Sequence, residues 1–215
     1  MVKDVTFKKI KEAVESRRVL TLTTHSYRSD ERDYIDTILD QYLQEAGRED
    51  LKNQLSYCIH ELAGNAKKAN TKRVYFQERG LNIENEAEYY IGMNNFKEET
   101  LGNVEHYISK LKSHGYYMKF QFQIDDKNIK IAVRNNSKLT SIEEERIQKK
   151  IDAAEKYCDM TEAYADIEDA SEGAGLGLVM MILMLKNIGL NGSILSIFGR
   201  GNETIAILTI SLEKP

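Results

Sequence analysis

Apolar residues recur every three or four positions between residues 30 and 46, where Tyr34, Ile35, Ile38, Leu39, Tyr42 and Leu43 make one stripe of a helix that Gly47 can close. Residues 49 to 70 repeat the pattern with Leu51, Leu55, Ile59, Leu62 and Ala66. Val74-Tyr75-Phe76 then fits either a short strand or a continuation of that helix. Before these segments, Val5, Ile10 and Val14 are loosely helical, and residues 19 to 23 alternate as a strand does. Residues 80 to 115 read as an inserted polar stretch with its own helix, since Leu101, Val104, Ile108 and Leu111 keep a helical period and Gly115 can cap it.

At residue 116 the period changes from three or four to two. Met118, Phe120, Phe122 and Ile124 alternate with polar residues, an Asp125–Asn128 turn follows, and Ile129, Ile131 and Val133 alternate again. This predicts a strand, a turn and a strand. Residues 141 to 157 form a charged helix, residues 176 to 189 a buried apolar one, and two last strands, 193 to 198 and 204 to 212, flank a Gly199–Asn202 turn. No repeat or low-complexity linker interrupts the order, and the pattern predicts helices layered on an antiparallel ladder.

Composition narrows the function classes. With 215 residues and 41% hydrophobic positions, one compact domain can bury roughly 70% of its unfolded surface. Lys and Arg number 30 against 34 Asp and Glu, a net charge of −4 that argues against a general nucleic-acid binder. No stretch reaches the roughly 18 apolar residues of a membrane span, and the first residues lack a signal-peptide core, so a cytoplasmic protein without a membrane partner is expected. Cys58 and Cys158 share no CxxC or Cys/His spacing, which leaves them as idle thiols.

Two segments carry candidate chemistry. Gly173-Ala-Gly-Leu-Gly-Leu178 runs into the apolar helix; alternate glycines allow close backbone approach, and the free N–H groups at the helix start favour a phosphate. It lacks the GxGxxG spacing and the Gly-Lys-Ser/Thr of other phosphate loops. On the second helix, Glu61 and Asn65 lie four residues apart with Lys68 one turn further, so a carboxylate, an amide oxygen and an ammonium share a face. Those groups can serve as a base, a hard-metal ligand and a phosphate contact. His60-Glu61 imitates the phosphoacceptor dipeptide of histidine kinases, but no metal-binding helix follows it downstream.

Taken in order, HELAGNAKKAN, IKIAVRNNSKL, SEGAGLGLVMMILML and GNETIAILTISL resemble the motifs of the GHKL (Bergerat-fold) ATPase superfamily over residues 49 to 212. The resemblance implies an α/β two-layer sandwich with helices on one face of a mixed, mostly antiparallel sheet. Residues 1 to 48 would be a helix-strand-helix segment packed on a core of residues 49 to 215, with the insert near 80 to 115. It further implies ATP and Mg²⁺, the metal on Asn65, Glu61 as catalytic base, and Asn135 and Thr204 at adenine. Gly173, Gly175, Leu176, Gly177 and Leu178 would surround the phosphates beside Lys68. Asn135 stands where the family has an Asp, and Ser137 and Leu139 replace two glycines, so nucleotide affinity is expected to fall and Asn135→Asp to raise it. The run from Cys158 to Glu172 holds six acids where the family carries its lid, and it is expected to face solvent or a basic partner. The expected function is a histidine-kinase-like signalling protein that phosphorylates or switches a separate cytoplasmic protein, as an anti-sigma-type serine/threonine kinase or a lone kinase domain with weak ATPase activity. The alternative is a non-catalytic nucleotide-sensing or pseudokinase module that works by docking, with homodimer formation open in either case.

Overall fold

The computed structural model describes residues 7–157, 161–163, 176–190 and 194–212. Helix α1 (Phe7–Glu15), strand β1 (Leu20–Thr24) and α2 (Ser29–Ala46) open the chain, and a short 3-10 turn (Glu49–Leu51) leads into the long α3 (Lys52–Glu78). Helices α4 (Glu86–Gly102) and α5 (Val104–Ser113) precede β2 (Met118–Ile124) and β3 (Asn128–Asn135). After α6 (Ser141–Lys156) and α7 (Leu176–Asn187), the chain ends in the hairpin of β4 (Leu195–Arg200) and β5 (Glu203–Ser211). The acidic run lies mostly outside the described residues, as do Cys158, Gly173 and Gly175.

The five strands form one open sheet in the order β1-β2-β3-β5-β4. All four pairings are antiparallel, which corrects the expected mixed sheet. The two hairpins are antiparallel by construction, and β5 returns between β3 and β4, so no crossover leaves a parallel pair. Register places Phe120 beside Leu22 and Val133, and Ile131 beside Phe122 and Leu208, so one parity of β1, β2, β3 and β5 is apolar and buried, while the edge strand β4 only half-buries Leu195 and Ile197. The other parity carries Lys119, Gln121, Lys130 and Arg134 and faces away from the helices. Strand β1 is an edge of this sheet, so the segment from residue 7 to residue 48 shares its core with α3.

Helix α3 connects two cores. Its first half buries Leu55, Cys58, Ile59 and Leu62 against the sheet. Its second half buries Val74, Tyr75 and Phe76 in a smaller cluster with Tyr89, Met93 and Phe96 of α4 and with Tyr107 and Leu111 of α5. Val74-Tyr75-Phe76 is therefore helical, and the stretch 80 to 115 contains two helices where one was expected. Gly92 lets α4 approach closely: an added Cβ would lie 2.5 Å from the Phe76 ring. Burial pushes the Cys58 thiol up to about 12, which keeps it protonated and inert. No helix among the described residues is long and apolar enough to cross a membrane.

Candidate functional site

Helix α3 turns a polar stripe, Glu61, Asn65, Lys68 and Lys72, toward a cleft of about 160 Å³. The sheet supplies the floor through Val133, Asn135, Thr204 and Ala206, α6 supplies Arg146 and Lys150, and the start of α7 supplies Gly177 and Leu178. Asn135 and Thr204 are direct partners across β3 and β5, so they reach the same end of the buried face. The floor is apolar with two polar side chains, and the walls carry Lys68, Lys72, Arg146 and Lys150 against Glu61 and Glu143. In a chain of net charge −4, this concentrates positive charge at one place.

Asn70, 2% exposed, fixes the sheet side of the cleft. Its Nδ2 donates to the Tyr117 carbonyl at 3.0 Å, and its Oδ1 accepts from Asn135 Nδ2 at 3.1 Å and from the Ser137 hydroxyl. Thr204 Oγ1 donates to the Ser137 carbonyl at 2.8 Å. The Asn135 amide is therefore oriented with nitrogen toward Asn70, and no hydrogen bond to its Oδ1 occurs among the described residues.

On the opposite wall, Glu143 is 8% exposed and takes both Arg73 guanidinium nitrogens, at 2.9 and 2.6 Å, with the Lys72 ammonium at 3.8 Å. The same carboxylate closes a capping box with Thr140 at the start of α6. Burial acts to raise the Glu143 pKa, but the hydrogen bonds and charge of Arg73, aided by Lys72, outweigh it and hold the group below the ordinary carboxylate range. Lys72 also donates to the Tyr89 hydroxyl at 3.0 Å. Glu143 is thus matched inside the wall by Arg73 and Lys72, and Lys68, Arg146 and Lys150 line the rest of the cleft with Glu61.

Asn65 Nδ2 donates to Glu61 Oε1 at 3.1 Å. The Glu61 carboxylate rests against the backbone of Gly177, where any Cβ would overlap it. Gly177 lies in the first turn of α7, so the carboxylate occupies the positive end of that helix. His60, next in sequence, points elsewhere. Its Nε2 is 2.9 Å from Asp36 Oδ2, its Nδ1 meets the Tyr27 hydroxyl, and its side chain is 14% exposed, so neither nitrogen is presented as a phosphoacceptor.

Of the residues expected at a site, Glu61, Asn65, Lys68, Asn135, Gly177, Leu178 and Thr204 line this one cleft. Leu176 begins α7 but does not line it, and Gly173 and Gly175 lie outside the described residues. Sequence reasoning missed Lys72, Asn70, Arg146 and Lys150. Lys72 continues the spacing 61, 65, 68 by one more turn, and Arg146 and Lys150 are four apart on one face of α6, so both signals were present.

The chain is 41% identical over 202 residues to an uncharacterized protein of Treponema pallidum (strain Nichols). The match takes in 94% of this chain and 39% of that relative, so the chain spans about two fifths of the relative's length. No family model and no solved structure matches.

Proposed function

We propose that the cleft binds ATP with Mg²⁺, and that the chain is a Bergerat-type, histidine-kinase-like signalling protein that phosphorylates or switches a separate protein. One observation carries this reading. The α3 stripe, the Asn135/Thr204 pair and the start of α7 are far apart in sequence, yet they meet on a single positively walled cleft. An apolar floor with two hydrogen-bonding side chains suits a base, and Lys68, Arg146 and Lys150 suit the phosphates, which would extend beyond a cleft of about 160 Å³.

The residues present fit the metal and the nucleotide. With Asn65 Nδ2 held by Glu61, Oδ1 is left to serve Mg²⁺, which takes oxygen ligands and draws several from phosphates. Asn135 Oδ1 would accept from the adenine amino group, because Asn70 has already claimed the amide nitrogen. When bound, ATP would supply the phosphoryl group and leave as ADP. Glu61 would orient an incoming hydroxyl and accept its proton, and Lys68, Arg146 and Lys150 would hold negative charge and exclude competing poses. The docking reading, without turnover, draws support from Asn135 itself, a neutral acceptor where the family has a charged one.

Titration calorimetry of the chain with ATP and Mg²⁺ tests the reading, and binding is the expected result. Asn65→Ala, at an exposed position, should remove the magnesium-dependent part of the affinity with the melting temperature unchanged. Magnesium dependence that survives this change would sink the metal assignment, and no binding by the wild-type chain would sink the nucleotide site. Asn135→Asp is no longer a simple gain. It would set two acceptors about 3.1 Å apart at Asn70 and cost stability of about 1–3 kcal/mol. With labelled ATP and a captured partner, transfer should fall in Glu61→Ala by more than nucleotide affinity does. A partner that binds without taking up label favours docking alone.

A further inference from the structure

The next stripe of α3, Gly64, Lys67, Lys68 and Thr71, walls a second cavity of about 330 Å³ whose other side is α4 and α5. Its lining is mostly apolar, including Phe96, Val104 and Leu111, and it contains three lysines and no carboxylate. Leu101 and Val104, at the junction of α4 and α5, are 66% and 40% exposed at its rim. These two side chains extend the apolar lining of the cavity out to its rim.

We infer that this cavity binds a small amphipathic carboxylate, an alkyl or aryl acid whose tail lies on Phe96, Val104 and Leu111 and whose carboxylate meets Lys67, Lys68 and Lys97. Charge complementarity selects the head group. No hydrogen bond or ion pair of these three ammonium groups occurs among the described residues, although acids outnumber bases in the chain as a whole. Lys67 is partly buried, with Arg28, Glu31 and Glu105 near its ammonium. A bound anion would add a partner on the cavity side. Size selects the tail: the volume sits at the lower end of small-molecule sites, roughly 300–1,000 Å³, and a helix about 10–12 Å across would not be enclosed by it.

Lys68 lines both cavities, which gives the site a consequence that rests on the nucleotide reading. A carboxylate that draws the Lys68 ammonium to its side removes a cation from the nucleotide cleft, so each ligand weakens the other by the same factor.

Decanoate is the probe, titrated calorimetrically into the whole chain beside decanol, which lacks the charge, and inorganic phosphate, which lacks the tail. Decanoate should bind, and the other two at least about tenfold more weakly. Lys67→Met should weaken decanoate about tenfold, the scale of one charge-assisted hydrogen bond, without changing decanol. Leu101→Glu should weaken decanoate with the melting temperature unchanged, because that position is exposed. Decanol binding as tightly as decanoate, or decanoate indifferent to both substitutions, overturns the inference. So does an acidic amphipathic peptide that binds where decanoate does not. Decanoate binding is read without nucleotide, so a chain that takes decanoate and no ATP keeps this site and loses the nucleotide reading. Where both bind, saturating decanoate should lower ATP affinity.

Discussion

Glu143→Ala is expected to lower the stability of the chain by about 3–5 kcal/mol, the scale for breaking a buried ion pair by removing one partner. The loss is large because three groups depend on that carboxylate. The Arg73 and Lys72 side chains are only 11% and 7% exposed and would lose their carboxylate partner, and Thr140 would lose its capping partner at the start of α6. Glu143→Gln keeps the shape and one acceptor and should lose less. The sign of the pH dependence follows from the lowered pKa. The stabilisation is complete above the ordinary carboxylate range and is lost as pH falls through the folded value, so wild type and variant converge in acid. Urea unfolding at neutral and acidic pH measures both, and a loss under about 1 kcal/mol at neutral pH would mean that water replaces the carboxylate freely.

Asn70→Ala should come second, at about 3 kcal/mol or more, since it strips partners from the Tyr117 carbonyl, the Asn135 amide and the Ser137 hydroxyl, each worth about 1–3 kcal/mol when buried and unmatched. It should also release the Asn135 amide to rotate. If Asn135 reads a base, nucleotide affinity falls in the surviving folded protein; Asn70→Asp, which keeps Oδ1, should retain more of it. Denaturation together with ATP titration separates the two effects. Unchanged unfolding in Asn70→Ala would mean that the α3-to-sheet bridge is replaced by solvent.

The strands were legible because their period is two and one face is buried. Met118 to Ile124 and Ile129 to Val133 alternate in the structure as they do in sequence. Val74-Tyr75-Phe76 was ambiguous for a physical reason: three successive buried residues have no periodicity, and here a helix is covered on several sides by α4, α5 and the residues around them. The break at Asn103 was invisible because Leu101, Val104, Ile108 and Leu111 keep a helical period through it while α4 ends and α5 begins. At the cleft, the α3 stripe could be read locally. The meeting of that stripe with Arg146 and Lys150 could not, because it is made by the packing of α6 and not by spacing along the chain.

The antiparallel order of the sheet has a consequence in time. Strand β1 pairs only with β2, Leu22 against Phe120, across all of α2 to α5, whereas β2 with β3 and β4 with β5 are neighbours along the chain. Closing so long a loop is the slow entropic step. A chain emerging from the ribosome therefore carries Leu20 and Leu22 with only helices, and no partner strand, to shelter them until residue 118 and beyond have been made. Amide exchange slowest in β3 and β5 and fastest in β1 is the expected signature. What is synthesised early joins the ladder late, and the sheet unravels from the same edge at which it is completed.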